Sequence, residues 1–263
     1  MTVAVTAAPR SAPALRAHNA LVIASGKGGV GKTWLAVTLA HVWARRGRRV
    51  VLIDGDLGLA NIDIQLGVAP ERDLLAVLSG RLALGAAVTR LERTGFDLVA
   101  GRSGSGSLAS VPAERIVSLR RDIVALAPAY DTVVLDLAAG LDRPVRILVG
   151  TGARLAVVLT ADPTSLTDAY ALIKVTHIGG DAPEPVVVVN QAKSEAEGRR
   201  TYETLRTVCA RYLGLEPALA GIVRHDPQVI EAIRAQAPLL ERSPNGRAAE
   251  DVAALATRLA PPG

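Results

Sequence analysis

The chain has 263 residues and a formal net charge of +5. Hydrophobic residues make up 49% of the chain and aromatic residues only 3%, so its core must consist mainly of Ala, Val, Leu and Ile. The single cysteine, Cys209, excludes a disulfide framework and a four-cysteine metal site within one chain. No apolar run approaches the roughly 20 residues that span a bilayer, and no secretion signal opens the sequence, which favours the cytoplasm.

Strand and helix patterns alternate along the chain. Residues 1–18 are rich in Ala, Pro and Arg without a hydrophobic period, so we expect a flexible N-terminal arm, followed by a single domain over residues 19–263. The alternation predicts an α/β fold, with a mostly parallel, twisted sheet flanked by helices on both faces. The predicted strands span residues 21–24, 49–54, 96–100, 132–136, 155–160, 186–190 and 220–223. The main predicted helices span residues 33–46, 163–177 and 248–259, and the Ser- and Gly-rich residues 102–107 are expected to form a loop.

The strongest local signal is a phosphate-loop motif, G-x-x-x-x-G-K-[ST], placed between the first predicted strand and the first predicted helix. Its residues are Gly26, Lys27, Gly28, Gly29, Val30, Gly31, Lys32 and Thr33. The glycines would let backbone N–H groups approach phosphate oxygens, and the helix that follows adds its positive N-terminal end. Lys32 would neutralise the β and γ phosphates, and the Thr33 hydroxyl would bind Mg²⁺. A Gly-rich turn without a ligand is the alternative.

Aspartates follow two other predicted strands. Asp54-Gly55-Asp56 ends one apolar run and Asp136 ends another. Carboxylates at strand ends beside a phosphate loop suit metal and water positioning, although Asp-Gly turns also occur for steric reasons alone. Asp136 is therefore predicted to hold a water on Mg²⁺ as a Walker B carboxylate.

The segment after the predicted strand at 186–190 indicates the base. Guanine readers of the phosphate-loop superfamily use Asn-Lys-x-Asp, whereas residues 190–193 read Asn-Gln-Ala-Lys and offer no acid to the guanine amine. Adenine is therefore favoured, and Asn190 is the predicted adenine contact.

Lys27 is the informative extra residue of the motif. Only four of the 30 basic residues are lysines, and two of them lie in residues 26–33. A lysine directly after the first glycine resembles the deviant Walker A motif of the ParA/MinD family of dimerising ATPases. The resemblance implies that Lys27 reaches across an ATP-bound homodimer to the partner's phosphates, and that Asp56 positions or activates the attacking water. It also implies that Asp168 meets the partner's signature lysine and that Gly140 is the second-switch glycine.

Longer stretches are similar to the FlhG-like branch of this family, MinD-like regulators of flagellar number and placement. They are residues 56–63, 163–174, 189–192 and 226–229. The resemblance implies a slow, partner-regulated hydrolysis of ATP with Mg²⁺, with Lys27, Lys32, Asp56 and Asp136 as catalytic residues. The partners that it implies are the FlhF GTPase and flagellar basal-body or transcription-regulator proteins, with recruitment to the membrane or cell pole.

The sequence departs from the family in three places. Residues 137–139, Leu-Ala-Ala, replace a hydroxyl-bearing, glycine-rich segment, which leaves the hydrolysis rate and switch geometry open. Residues 11–16 keep part of the spacing of a GTPase-stimulating segment, but an Ala-rich arm gives that spacing by chance as well. The last predicted helix lacks the large apolar anchors of a membrane-binding helix.

Three other functions remain open at this stage. The chain could be a partition or cell-division positioning ATPase that binds DNA or membrane, since a positive net charge permits salt-sensitive binding to both. It could be a metabolic phosphate-loop enzyme, although one cysteine disfavours a cluster-bridged reductase. It could also be a scaffold that binds ATP without hydrolysis.

Overall fold

One eight-stranded sheet organises the residues that the computed structural model describes, 16–101 and 111–260. Its strands are β1 Ala17–Ser25, β2 Val50–Gly55, β3 Thr89–Leu91, β4 Phe96–Val99, β5 Thr132–Ala139, β6 Gly152–Leu159, β7 Pro185–Ala192 and β8 Ala218–Arg224. Their spatial order is β3-β4-β2-β5-β1-β6-β7-β8. All neighbours pair in parallel except β3 and β4. The predicted fold class is confirmed.

Helices follow the strands on both faces of the sheet. They are α1 Lys32–Arg45, α2 Ile62–Leu66, α3 Leu74–Leu78, α4 Ala113–Leu126, α5 Arg143–Val149, α6 Pro163–Gly179, α7 Glu195–Leu213, α8 Pro227–Arg234, α9 Leu239–Arg242 and α10 Arg247–Leu259. Local chemistry sets their ends. In α6, for example, the Asp162 side chain accepts a hydrogen bond from the Thr164 N–H, and the helix ends at Gly180, which adopts the left-handed region at φ +71°.

The strands are buried on both faces, which explains their nearly continuous apolar sequences. In β1, Val22 and Ala24 pack into the layer formed with α4, α5, α6 and α7. Leu21 and Ile23 pack into the layer formed with α1 and α10. Successive side chains of a strand point to opposite faces, so a central parallel strand needs apolar residues at every position.

Helix α10 is part of this second layer. Val252, Leu255 and Leu259 are buried, and the Trp43 indole donates a hydrogen bond of 3.0 Å to the Ala256 carbonyl oxygen. The apolar face of α10 is thus used in packing against the sheet and α1. Among the described residues, no helix is long and apolar enough to cross a membrane.

The element bounds differ from the sequence-based predictions in a few places. Strand β1 begins at Ala17, whose N–H donates to the Thr151 carbonyl oxygen, so the strand includes the last two residues of the predicted arm. The short antiparallel edge strand β3 was not predicted, since its three residues include the exposed Arg90. Residues 1–15, the predicted loop at 102–107 and residues 261–263 lie outside the described residues.

Candidate functional site

The phosphate-loop segment joins the end of β1 to the start of α1 at the centre of the sheet. Gly29 and Gly31 adopt the left-handed region, at φ +79° and +83°, which a side chain at either position would disfavour. Gly31 is also the N-cap of the 14-residue α1, and no side chain caps that end. The first N–H groups of α1 therefore remain available to an anionic ligand.

Neighbouring elements hold this loop in shape. The Asn190 side-chain amide donates to the Val30 carbonyl oxygen at 2.8 Å, and the Gln191 amide donates to the Gly29 carbonyl oxygen at 3.2 Å. On the other side, a Cβ atom at Gly26 would collide with the backbone of Asp168 in α6. The loop is thus supported from β7 and α6 without any ligand.

Lys32 and Asp136 lie together beneath the loop. Lys32 is only 8% exposed. Burial lowers the pKa of the Lys32 ammonium, while the charges of Asp136 and Asp56 raise it. A bound polyphosphate would stabilise the charged form of this lysine, as any close anion does.

Asp136 is almost completely buried, and neither of its carboxylate oxygens has a hydrogen-bond donor of ordinary geometry among the described residues. Burial raises its pKa to about 6; the Thr33 hydroxyl and the Lys32 charge lower it, and Asp56 raises it. Thr33 thus faces this carboxyl, although not within a regular hydrogen bond. A buried carboxylate without a partner, next to a loop threonine, fits the water shell of a Mg²⁺ ion.

The described residues contain no group of three or more His, Cys, Asp or Glu side chains that could hold a metal ion by themselves. Mg²⁺ commonly keeps several waters and is bound through one or two protein oxygens plus substrate phosphates. Thr33 and Asp136 therefore fit a metal that arrives with a nucleotide and not one bound permanently.

Asp56 lies at the cavity, and its neighbour Asp54 lies below it. One Asp56 oxygen accepts hydrogen bonds from the N–H groups of Gly58 and Leu59, at 3.2 and 2.9 Å. Asp54 is buried in β2 directly beside Asp136 in the strand register, and burial, followed by the Asp136 charge, raises its pKa to about 8. Sequence reasoning grouped Asp54 with Asp56 as strand-end carboxylates but assigned a specific role only to Asp56.

A large open cavity joins these residues. It has a volume of about 980 Å³ and lies between the loop, residues 55–61 and residues 138–145. Lys32, Asp56 and the exposed Arg143 contribute its charged groups together with Asp142. A cavity of this size can hold a triphosphate and leave one side open to a second molecule.

A second, smaller cavity of about 150 Å³ lies next to the first, and the two share Gly31, Trp34, Gln191 and Ile233. Its other lining residues are Asn190, Arg224, His225, Asp226, Val229 and Ile230. Its size and its polar and apolar walls suit a planar base. Sequence reasoning missed Trp34 and the α8 side chains as part of the site.

Three predicted residues have other contacts in the single chain. The Lys27 ammonium donates to the Thr164 hydroxyl at 2.6 Å and forms an ion pair with Asp162 at 3.4 Å. Gly140, at φ +106°, donates its N–H to the Ser25 carbonyl oxygen at 2.9 Å. Asn190 lines the small cavity; one N–H of its side-chain amide is used by the Val30 carbonyl oxygen, which leaves its oxygen and its second N–H for a base. Their predicted roles towards nucleotide and partner stay predictions.

The fold and the site define a phosphate-loop nucleotide-binding protein: a parallel sheet, a glycine loop that opens a helix, and strand-end carboxylates around one cavity. The model of the CobQ/CobB/MinD/ParA nucleotide binding domain family matches residues 21–239, and the chain belongs to this family.

Two relatives carry flagellar names. The chain is 35% identical over 239 residues to the antiactivator FleN of Pseudomonas aeruginosa, covering 91% of this chain and 85% of that protein. It is 30% identical over 226 residues to the flagellum site-determining protein YlxH of Helicobacter pylori, covering 86% and 76%. These matches confirm the predicted resemblance to the MinD-like, FlhG-related members of the family.

Solved structures confirm the fold. The cell division ATPase MinD of Pyrococcus furiosus superimposes with a TM-score of 0.79 at 24% identity, covering 92% of this chain and 98% of that one. The septum site-determining protein MinD of Pyrococcus horikoshii, solved with Mg-ADP, superimposes with a TM-score of 0.76 at 24% identity, covering 90% and 94%.

Proposed function

We propose that this protein is a regulatory ATPase of flagellar number and placement that binds ATP with Mg²⁺, dimerises in the ATP state and resets by hydrolysis. The observation that carries the proposal is the buried Lys32–Asp136 arrangement under a loop that β7 and α6 hold ready for phosphate. The solved MinD with Mg-ADP supports the choice of nucleotide and metal.

The residues would divide the work as follows. The N–H groups of the loop and Lys32 bind the phosphates, and Thr33 and Asp136 hold Mg²⁺, which supplies charge neutralisation at the phosphate oxygens. Asp56 accepts a hydrogen bond from the attacking water and orients it. The water oxygen bonds to the γ-phosphorus as the bond to the bridging oxygen breaks, which gives ADP and phosphate, and the proton of the water ends on the phosphate.

Lys27 would be the dimer switch. In the single chain it is held by Thr164 and Asp162 outside the cavity, yet about a third of its side chain is exposed. Leu59, which is 75% exposed, stands at the open side of the large cavity. A second copy placed over this opening would cover Leu59 and bring its own Lys27 towards the nucleotide, where a cation offsets the phosphate charge.

The flagellar role rests on FleN and YlxH, whose names state antiactivation and flagellar site determination. The FlhF GTPase and basal-body or transcription-regulator proteins are the proposed partners. The alternative, a positioning ATPase on DNA, would use arginines such as those that end α1. Just after α1, Arg49 pairs with Asp131, which offsets its charge, whereas Arg46 donates to the neutral Ala253 carbonyl oxygen and keeps its full charge.

Calorimetry and light scattering test the proposal. The native chain should bind Mg-ATP, and Lys32→Ala should weaken binding by about 100-fold, since a buried charge contact is lost. Lys174→Ala, which removes an exposed lysine of α6, is the matched control. Asp56→Ala should trap an ATP-bound dimer, and adding Lys27→Ala should return it to monomer with Mg-ATP still bound.

The outcomes separate the alternatives. Equal Mg-ATP affinity of native and Lys32→Ala chains would refute the nucleotide site, and a monomer at every ATP concentration would refute the dimer switch. Binding without single-turnover hydrolysis would identify a scaffold. In cells that lack the native gene, flagellar number should be restored by the native chain and not by Lys32→Ala.

A further inference from the structure

Asp54 contacts both ends of the segment that carries Asp56. One oxygen of its carboxyl accepts the N–H of Asp56 at 3.2 Å. The other accepts the N–H groups of Asn61 and Ile62 at 3.2 and 3.3 Å. Residues 56–61 therefore form a loop whose beginning and end are tied to one buried side chain.

The three N–H groups that donate to Asp54 belong to one part of the molecule. All of them belong to the loop or to the first residue of α2, and this loop lines the large cavity. The Asn61 side chain does not cap α2, so Asp54 satisfies that helix start from the neighbouring strand. The contacts thus order the cavity wall and do not join parts of the sheet framework.

Asp54 itself has little freedom. It is 1% exposed, and a Cβ atom at Gly101 would lie 3.2 Å from its carboxyl carbon. A Cβ atom at Gly55 would lie 2.9 Å from the Asp136 carbonyl oxygen, so β2 and β5 are packed closely at this point. Because the Asp54 side chain is confined in this way, it also fixes the positions of the N–H groups that it binds.

We infer that Asp54 is a positioning residue, which holds the loop of residues 56–61 so that the Asp56 carboxylate keeps its place at the cavity. This inference rests on the proposed hydrolysis for its effect on rate. Asp56 adds a second constraint, because its own carboxylate closes a turn onto the N–H groups of Gly58 and Leu59. Loss of the Asp54 contacts would leave that turn intact but free to move as a unit.

The test compares Asp54→Asn with Asp131→Asn. An asparagine keeps one acceptor oxygen and places an NH₂ group against the other loop N–H, so only one end of the loop stays tied. Asp131 also accepts a backbone N–H, from Arg49, but at the opposite end of the β2–β5 pair. Asp54→Ala, which frees both ends, supplies a graded second variant.

Three measurements follow the loop, the chemistry and the nucleotide affinity separately. Hydrogen–deuterium exchange should become at least tenfold faster in peptides covering residues 56–62 of Asp54→Asn, and stay unchanged over residues 26–33. Single-turnover hydrolysis should slow by about 10- to 100-fold, because small misplacement of a catalytic group costs that much. The Kd for Mg-ATP should change by less than about twofold, since Lys32 and the backbone N–H groups of the phosphate loop, residues 26–33, are untouched. Asp131→Asn should match the native chain in all three measurements.

The inference would be overturned if Asp54→Asn exchanged hydrogen in residues 56–62 at the rate of the native chain, or if it hydrolysed ATP at the native rate. An Mg-ATP affinity that falls as much as the rate would also overturn it, because equal losses would indicate that Asp54 has a general structural role. A native chain that binds Mg-ATP without turning it over would instead overturn the proposed hydrolysis, and the exchange rates alone would then decide whether Asp54 holds the loop.

Discussion

The side-chain amide of Asn190, at the end of β7, donates a hydrogen bond of 2.8 Å to the carbonyl oxygen of Val30 in the phosphate loop. Two segments separated by 160 residues in the sequence are thereby joined at the centre of the site. Because Asn190 is 2% exposed, water has no easy route to replace this bond. The loop conformation therefore depends on a strand that contributes nothing to the motif itself.

Asn190→Ala should destabilise the chain and weaken its nucleotide site together. Leaving the buried Val30 carbonyl without a donor costs about 1–3 kcal/mol in unfolding free energy. Chemical denaturation without nucleotide measures this loss, and calorimetry with Mg-ATP should show weaker binding. Gln191→Ala, which removes the longer and exposed bond to Gly29, is the control and should lose less in both. Equal losses would contradict a special role for Asn190.

Two loop glycines should respond differently to alanine. A Cβ atom at Gly26 would collide with the Asp168 backbone, whereas nothing lies within 4 Å of a Cβ atom at Gly28. Gly26→Ala should therefore lower the unfolding free energy without nucleotide, by about 1–3 kcal/mol as for other overpacked sites. Gly28→Ala should leave the unfolding free energy nearly unchanged but weaken the binding of Mg-ATP, because the added methyl group would lie where the phosphates approach. Thermal unfolding with and without Mg-ATP separates the two effects.

The nucleotide-free chain should lose stability as pH rises. Burial and Asp136 raise the pKa of Asp54 from the ordinary value near 3.8 to about 8, so the folded state holds a proton that the unfolded state has released. The stability from this group is complete below pH 3.8 and falls as pH rises through 8. Urea unfolding between pH 5 and 8.5 should show this decline.

Asp54→Asn should flatten the decline over the same range. Asp131→Asn provides a control of opposite sign, because Arg49 lowers the pKa of Asp131 and its contribution is lost only towards acid pH. The native decline should therefore persist in Asp131→Asn. An equally steep decline in Asp54→Asn would assign the pH dependence to other groups.

The sequence predicted those parts of the molecule whose causes are local. Doubly buried strands such as β1 and β2 need apolar residues at every position, and the glycine loop has its own pattern, so both could be found without coordinates. Strand β3 was not predicted because its three residues, which include the exposed Arg90, are too few to show a hydrophobic period. The small cavity was not predicted because its walls come from distant segments, and only the sheet order brings β7, β8 and α8 to the loop. Asp54 was recognised as a strand-end acid, but its hydrogen bonds to residues 56, 61 and 62 depend on the path of the loop, which no sequence pattern specifies.

Ile233 should control the fit of the base. It lies in the wall shared by the two cavities and is 37% exposed, so a larger side chain can be accommodated without disturbing the core. Ile233→Trp should occupy much of the 150 Å³ cavity and weaken Mg-ATP binding by about tenfold, which corresponds to about 1.4 kcal/mol. Binding of Mg-tripolyphosphate, which has no base, should remain unchanged. Ile178→Trp, at an exposed position near the end of α6, is the control and should bind both ligands like the native chain. If Ile233→Trp weakened both ligands equally, the small cavity would not be the seat of the base.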